Sequence, residues 1–189
     1  MVYRYDDENI YKFMYTNSFR EPSWREQYLA GAPYHKPTAN LESESVDAFE
    51  AAYIKKFAYN KDFKINIFYL FNKDQINAQN ADKTFKNSGN GEIYGFESEF
   101  RTSLTDNDQL YLNYSYADGE NTSGVMANSA QSMAKLYYIY NINSMFALSS
   151  IIKYVGEKDR IDGDNREKVD DYTTVDFTAT YSYKPSDLT

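Results

Sequence analysis

Apolar and polar side chains alternate along eight stretches of this chain. In one of them Leu110, Leu112 and Tyr114 alternate with Asn113 and Ser115. Side chains on a β-strand point alternately to its two faces, so this pattern predicts a strand with one apolar face and one polar face. A helical period is not indicated, because few windows place apolar residues three and four positions apart. The predicted strands are residues 9–19, 45–57, 63–72, 93–103, 109–118, 132–142, 145–155 and 172–183.

The connections between these strands are alternately long and short. The long ones span residues 20–44, 73–92, 119–131 and 156–171, and the short ones span residues 58–62, 104–108 and 143–144. Each short connection is rich in Asn, Asp or Ser, which favour chain reversal because their side chains hydrogen-bond to the nearby backbone. We therefore expect an all-β fold, an antiparallel up-and-down meander of about eight strands. Long loops at one end of the sheet and tight turns at the other are typical of a transmembrane β-barrel.

A soluble β-sandwich also has strands with one apolar and one polar face, and it is the main alternative. Two features favour the barrel. The predicted strands reach about ten residues or more, which is long for a sandwich and suits a tilted membrane crossing. Tyrosines are also frequent near strand ends, where barrels carry aromatic girdles at the membrane interfaces. These tyrosines are Tyr11, Tyr15, Tyr53, Tyr69, Tyr94, Tyr116, Tyr154, Tyr172 and Tyr183.

The alternation also assigns individual residues to the two faces of the sheet. We expect the apolar face to point outward to lipid and the polar face to lie on the concave side. Glu50 and Arg101 belong to the same polar face as Glu97 and Glu99, and we expect ion pairs there. The residues expected to point outward include Ile65, Ile67, Leu112, Tyr114, Phe177 and Tyr181. The residues expected on the concave side include Lys64, Glu97, Glu99, Asn113, Ser115 and Thr180.

Composition excludes several functional classes. The 189 residues include 20 tyrosines and 12 phenylalanines, carry a formal net charge of -8 and contain no cysteine. The lack of cysteine excludes disulfides and thiolate chemistry. The acidic balance argues against general nucleic-acid binding. A transmembrane helix is excluded as well, because no run of about eighteen apolar residues is present.

Residues suited to catalysis or to metal binding are few. His35 is the only histidine, so no catalytic triad can be assembled around it. The loop from Asp159 to Asn165 is rich in Asp, but its spacing misses the Asp-x-Asp-x-Asp-Gly register of a calcium loop. The sequence therefore predicts neither an enzyme nor a bound cofactor or metal ion.

A short motif follows the first predicted strand. Phe19-Arg20-Glu21-Pro22 is followed by Trp24 and then by Glu26-Gln27-Tyr28. This segment resembles the strand-to-loop motif of TonB-dependent outer-membrane receptors, in which Phe-Arg-x-Pro precedes an aromatic residue and Glu-Leu-Tyr. Gln27 stands where Leu is usual. Further pieces resemble that family's motifs, in the family's order, at Asn40 to Glu44, Phe49 to Tyr53, Asn87 with Gly95 to Phe100, Lys153 to Gly156, and Asp171 to Asp176.

The resemblance implies that residues 1–189 are a partial domain from the C-terminal part of a transmembrane β-barrel of about 22 strands. It implies that the last strands, a plug domain and a signal peptide are missing from this piece. The implied location is the outer membrane of a Gram-negative-type bacterium, with the barrel surrounded by outer-membrane lipid. The implied function is import of a scarce small-molecule or metal-chelate ligand, such as an iron–siderophore chelate or cobalamin. TonB and the plug domain are expected partners only through the missing part.

Ligand recognition in such receptors is expected on the extracellular loops and in the upper lumen. In the first long loop this points to Trp24, Tyr28, Tyr34 and His35 as candidate ligand contacts. Their alternative role is to pack the loop against itself, and the prolines of this loop would stiffen it. A self-contained eight-stranded outer-membrane barrel with a structural or binding role is the alternative function, because eight strands are enough to close a barrel.

Overall fold

The computed structural model describes residues 1–28, 36, 38, 40–57, 60–79, 83–122, 124–125, 128–160 and 164–182. These residues form ten β-strands and one short helix. No helix in this part of the chain is long and apolar enough to cross a membrane. The elements are β1 Val2–Arg4, β2 Asn9–Arg20, α1 Trp24–Tyr28, β3 Glu44–Phe57, β4 Lys61–Gln79, β5 Thr84–Thr102, β6 Asp108–Asn121, β7 Gly124–Val125, β8 Ser132–Asn141, β9 Phe146–Val155 and β10 Tyr172–Tyr181.

The strands form one antiparallel sheet in which each strand pairs with its neighbours in sequence. The hydrogen-bonding order is β1-β2-β3-β4-β5-β6-β8-β9-β10, and the two-residue β7 pairs with the end of β6. The predicted up-and-down meander is therefore confirmed, since the described strands contain no Greek-key crossover. A sandwich would need two packed sheets, whereas these strands form one.

The two ends of the sheet lie far apart in the pairing order. β1 and β10 stand at its opposite ends, and no ladder in the described part of the chain joins them. A barrel closed by these strands alone would need a continuous ladder between its first and last long strands, β2 and β10. The described strands instead form an open sheet, which differs from the alternative of a self-contained eight-stranded barrel.

Register divides the sheet into two chemically different faces, because residues opposite each other across a ladder lie on the same face. Lys64, Glu99, Asn113, Lys135 and Lys153 are successive partners on β4, β5, β6, β8 and β9. We call the side that carries them the polar face, and the other side the aromatic face. The predicted division is confirmed, with Ile65, Ile67, Leu112, Tyr114, Phe177 and Tyr181 on the aromatic face and Lys64, Glu97, Glu99, Asn113, Ser115 and Thr180 on the polar face.

The sheet buries very little apolar surface against itself. Among the described residues only Ile10 and Leu41 are buried hydrophobic side chains, whereas Phe177 is 82% exposed and Ile67 is 55% exposed. A water-soluble sheet packs one face into a core. The aromatic face of this sheet has no such covering in the described part of the chain.

One predicted loop is wrong. The sequence pattern placed a long connection at residues 73–92, but β4 continues to Gln79 and β5 begins at Thr84, so most of this region is a paired hairpin. The ladder between β4 and β5 shifts register between Asn72 and Ile76, and Asp74 there has a φ of 55°. The hairpin was missed because its residues are polar on both faces, so backbone pairing continues without apolar alternation. Residues 80–82 lie outside the described part.

Smaller differences concern strand ends and one tyrosine. The sequence pattern did not predict β1, β7 or α1, which are too short to show a hydrophobic period. Tyr172 was expected in an aromatic girdle, but its ladder partner is Val155, which shares the polar face with Lys153. Its position in the chain indicates a strand end, but only the register shows that its side chain belongs to the polar face. Tyr183 lies outside the described residues.

Candidate functional site

The helix α1 begins with a capping box at the end of the sheet that carries the long loops. The backbone N–H of Ser23 donates to Oε2 of Glu26 at 2.6 Å, and the backbone N–H of Glu26 approaches Oγ of Ser23 at 3.3 Å. This reciprocal arrangement gives the Ser23 amide a partner and adds a second acceptor for the Glu26 amide, which also donates to the Ser23 carbonyl at 3.0 Å. A helix of five residues is unstable in isolation, so its position must come from contacts of this kind.

Arg20, the last residue of β2, joins this helix to the sheet. Its Nε donates to Oε2 of Glu44 at 2.7 Å, and Nη1 and Nη2 donate to the two carboxylate oxygens of Glu26 at 3.1 and 3.2 Å. Arg20 and Glu44 are also ladder partners on β2 and β3. One guanidinium therefore holds the start of β3 and the helix together.

Burial and hydrogen bonding act on Glu26 in opposite directions. Its side chain is only 15% exposed, and this burial raises the pKa of Glu26. The hydrogen bonds from Arg20 and Ser23 to its carboxylate outweigh the burial, so the net effect lowers the pKa. Glu26 is therefore held in its charged form, in which it caps the helix and pairs with Arg20.

A second group of contacts ties the same loop to the β4–β5 hairpin. Oε1 of Glu44 accepts the backbone N–H of Ile76 at 2.6 Å, at the irregularity in β4. The Asn87 side chain accepts from the backbone N–H of Glu42 at 2.8 Å and donates to the Glu42 carbonyl at 2.9 Å. The same amide also donates to the Asp74 carbonyl at 2.7 Å. The loop and the hairpin are thus connected at two separate points.

Two of the four predicted ligand contacts are described. Trp24 and Tyr28 are the first and last residues of α1 and are 66% and 59% exposed. They are four residues apart, which places them on the same face of a helix. Tyr34 and His35 lie outside the described residues.

The residues that position α1 belong to the motif segments that resemble the receptor family, but the motif alone does not indicate what they do. Arg20, Glu26, Glu44 and Asn87 all occur in those motif segments. The spacing Ser23-x-x-Glu26 is a capping-box signal and was available in the sequence. The pairing of Arg20 with Glu44 cannot be derived from the sequence pattern, because it depends on the register between two strands separated by a long loop.

The polar face carries a charged pocket of about 380 Å³. Its lining includes Glu97, Glu99, Lys135 and Lys153. Glu99 accepts from Nζ of Lys64 at 3.0 Å, whereas Lys153 is 3.6 Å from the Asp176 carboxylate. Lys135 and Lys153 are directly opposite each other on β8 and β9, and like charges so placed repel.

Of the side chains expected to form ion pairs on the polar face, Glu99 pairs with Lys64 and Arg101 pairs with Asp62. Arg101 donates from Nε to Oδ1 of Asp62 at 2.6 Å rather than pairing with a glutamate. Glu50 accepts a hydrogen bond from Nδ2 of Asn66 at 3.1 Å. The ion pairs of Lys64 with Glu99 and of Arg101 with Asp62 therefore join adjacent strands.

The Asp-rich loop between β9 and β10 is internally paired. Nζ of Lys168 lies 2.8 Å from Oδ1 of Asp159, and Nη2 of Arg166 lies 2.6 Å from Oδ2 of Asp164. The hydrogen bond to Asp159 raises the pKa of Lys168. Residues 161–163 are outside the described part. In the remainder of the chain that the structure describes, no three His, Asp or Glu side chains are grouped to hold a metal ion.

Comparison with known proteins places this geometry in a family. The family model described as TonB dependent receptor-like, beta-barrel matches residues 1–189. No curated protein matches the chain in sequence.

Several solved structures have the same fold. The ferric-catecholate import receptor Fiu from Escherichia coli K12 matches with a TM-score of 0.77 and 14% identity, over 97% of this chain and 28% of that one. The ferric yersiniabactin uptake receptor FyuA from Yersinia pestis matches with a TM-score of 0.74 and 16% identity, over 95% of this chain and 28% of that receptor. The ferripyoverdine receptor of the outer membrane of Pseudomonas aeruginosa matches with a TM-score of 0.74 and 17% identity, over 97% of this chain and 26% of that receptor. The chain therefore spans less than a third of each of these receptors.

Proposed function

Because this chain belongs to the TonB dependent receptor-like β-barrel family, we propose that its strands form part of the wall of an outer-membrane receptor. That receptor imports a scarce ligand, such as an iron–siderophore chelate or cobalamin. The three similar structures described above are named as receptors for iron-bearing ligands, which supports a ligand of this chemical class.

The observation that carries the proposal is the difference between the two faces of the sheet. Phe13, Ile67 and Phe177 are among many large apolar side chains exposed on the aromatic face, and the polar face carries ion pairs. An exposed apolar surface of this extent would favour aggregation in water. It suits lipid on one side of a barrel wall and a wet lumen on the other.

The open edges of the sheet support a larger barrel. β1 and β10 each have one edge that pairs with no described strand. Unpaired backbone groups are very unfavourable in hydrocarbon, so a sheet in a membrane must close on itself. We propose that further strands complete a barrel of about 22 strands, and that this chain is its C-terminal part without the last strands. The plug domain and the contact with TonB would belong to other parts of the receptor.

We propose that ligand contacts lie at the long-loop end, on Trp24 and Tyr28 together with Tyr34 and His35. The exposure of Trp24 and Tyr28 on one helix face supports this role. Exposed aromatic side chains are frequent among residues that dominate binding energy. The loop end would face the outside of the cell, with the tight turns on the periplasmic side.

Uptake by whole cells tests this function. A Gram-negative host that lacks its own iron-chelate and cobalamin receptors would express the complete receptor. The probes are radiolabelled iron bound to a catecholate, a hydroxamate or citrate, and radiolabelled cobalamin. We expect accumulation of one probe that stops when TonB is deleted. Accumulation of none of them, or accumulation that continues without TonB, would contradict the proposal.

Substitutions in α1 test the proposed contacts in the same assay. Trp24→Ala or Tyr28→Ala should weaken binding of the transported probe at least about five-fold, because removing a central aromatic contact typically costs more than about 1 kcal/mol. Tyr5→Ala is the matched control, since Tyr5 is 69% exposed but lies in the turn before β2 at the opposite end of the sheet. Equal effects of all three changes on probe binding would contradict the assignment of α1 to the ligand site.

A further inference from the structure

We propose that Arg20 is a positioning residue for the candidate ligand site, which locks α1 to the β4–β5 hairpin before any ligand arrives. This inference rests on the proposed function for its meaning, because α1 carries Trp24 and Tyr28. Its physical basis is independent of the ligand. It is the connection from α1 through Arg20 and Glu44 to the backbone of β4.

The first part of this connection uses the shape of the guanidinium. Arg20 directs one N–H at Glu44 and two at Glu26, so three donors of one planar group engage two carboxylates. A lysine ammonium is a point charge and cannot present this planar fork. Both carboxylates are more shielded than the arginine, with side chains 15% and 22% exposed against 47%. The arginine therefore closes over two partly buried acids.

The second part uses both oxygens of Glu44. Oε2 accepts from Arg20, and Oε1 accepts from the backbone N–H of Ile76. Ile76 lies beyond the last β3–β4 ladder pair, which joins Ser45 to Lys73. That part of the hairpin has no ladder to β3, so Glu44 supplies a side-chain link where the backbone link has ended.

Asn87 adds a second attachment between the same segment and the hairpin. Its amide exchanges two hydrogen bonds with the backbone of Glu42, two residues before Glu44. The segment that leads into β3 is thus attached to β5 by Asn87 and to β4 by Glu44. Movement of α1 away from the sheet would require Arg20 to release either Glu26 or Glu44.

The consequence is a preorganised site. A binding surface that is ordered in advance loses less conformational entropy when the ligand binds, so its affinity is higher for the same contacts. Arg20 would then set the affinity of Trp24 and Tyr28 for a ligand without touching the ligand itself. Loss of Arg20 should weaken binding while the later steps of transport keep their rate.

The first test reads the position of α1 directly. Trp24 is the only tryptophan among the 189 residues, so in the complete receptor, with any tryptophan outside these residues replaced by phenylalanine, its fluorescence reports on this helix alone. Arg20→Lys and Arg20→Gln should lower the Trp24 anisotropy, because α1 loses its attachment to the sheet, whereas acrylamide quenching should change little because Trp24 is already 66% exposed. Arg25→Gln is the matched control, because Arg25 is an arginine on the same helix that makes no ion pair in the described part.

The second test reads the hairpin. Residues 1–189 contain no cysteine, so in the complete receptor, with any other cysteine replaced by serine, Glu42→Cys combined with Asn87→Cys gives one unique pair for a short bifunctional thiol reagent. This pair lacks the Asn87 hydrogen bonds to Glu42 and is the reference, in which the remaining attachment runs through Arg20 and Glu44. Addition of Arg20→Gln to this pair should reduce the yield of the intramolecular cross-link, and addition of Arg25→Gln should not. Unchanged Trp24 fluorescence together with an unchanged cross-link yield would overturn the proposal.

A loss of folding is distinguished by circular dichroism and by a second variant. If Arg20→Gln loses the β-sheet signal, Glu26→Gln decides the question, because it leaves the ladder pair of Arg20 with Glu44 in place. A Glu26→Gln chain with wild-type Trp24 anisotropy would overturn the proposal. Increased mobility of Trp24 with the sheet signal retained would support it.

The uptake assay separates this inference from the proposed function. In cells, Arg20→Lys should raise the half-saturating concentration of the transported probe about two- to five-fold and leave the maximal rate unchanged, and Arg25→Lys should change neither. A wild-type receptor that takes up no probe contradicts the proposed function but leaves the fluorescence result standing. A maximal rate that falls with no change in half-saturation would contradict the positioning role of Arg20.

Discussion

The aromatic ring of Phe68 on β4 lies over Gly95 on β5, its direct ladder partner on the polar face. A β-carbon on Gly95 would stand 2.8 Å from the ring ζ-carbon and would also overlap the carbonyl oxygen of Tyr116 on β6. The neighbouring strands therefore approach the Gly95 backbone on both sides. An aromatic side chain that covers a glycine in this way is one of the devices by which curved sheets maintain their pairing.

Gly95→Ala should destabilise the sheet, because the added methyl group must displace a strand backbone as well as the Phe68 ring. Overpacking of this kind typically costs about 1–3 kcal/mol. Urea unfolding of the complete barrel in lipid vesicles measures the change. Gly91→Ala on the same strand is the control, since its β-carbon would meet its nearest neighbour at 3.1 Å. Equal midpoints for the two variants would show that the approach at Gly95 is not tight.

Ile67→Arg should strongly destabilise the complete barrel in lipid vesicles. Ile67 lies in the middle of β4 on the aromatic face, between ladder partners Ala51 and Phe96. A positive charge facing lipid near the bilayer midplane costs about 2–4 kcal/mol. Denaturant titration of vesicle-inserted barrel measures this. Ser115→Arg, on the polar face, should have little effect, and a similar loss for both would refute the assignment of the faces.

Lys135→Glu should stabilise the pairing of β8 with β9. Lys135 and Lys153 are direct cross-strand partners on the polar face, and replacing a like-charge pair with an opposite pair favours the folded state by about 0.2–1 kcal/mol. The urea midpoint of the complete barrel in lipid vesicles reports the change. Lys135→Gln should give an intermediate value, because it removes the repulsion and adds no attraction. A lower midpoint for Lys135→Glu would show that another carboxylate governs this site.

Acid should release α1 from the sheet. Although burial acts to raise the pKa of Glu26, the hydrogen bonds from Arg20 and Ser23 lower it overall. A carboxyl with a lowered folded-state pKa contributes stability that is complete above its ordinary pKa of about 4.3 and is lost as pH falls through the lowered value. Trp24 anisotropy should therefore stay constant from neutral pH down to that range and then fall. Glu26→Gln should remove this transition, and an unchanged profile in that variant would assign the acid response to another group.

The 189-residue chain alone should not form a heat-resistant monomer. Among the strands that the structure describes, β1 and β10 each have an edge with no partner, and unpaired backbone groups are unfavourable in hydrocarbon and promote association in water. Electrophoresis of heated and unheated samples in detergent checks this. A monomer band that shifts only on heating would show that the strands close on themselves, and it would contradict the larger barrel.

Strand order and the two faces followed from the sequence by itself. Alternation along a strand is a local property, because successive side chains point to opposite sides wherever the backbone is extended. Leu112 and Asn113, for example, could be assigned to different faces from their own neighbours alone. The motif around Arg20 likewise indicated the family, because its residue types and spacing are continuous in the chain.

Only the tertiary structure decided how the candidate site is held. Arg20 meets Glu44 across 24 positions of sequence, and Asn87 meets Glu42 across 45. Such contacts depend on the register between strands and on the path of the loops between them, which no local pattern encodes. The extension of β4 to Gln79 was hidden for the same reason, since its backbone hydrogen bonds form with a partner strand whatever side chains they carry.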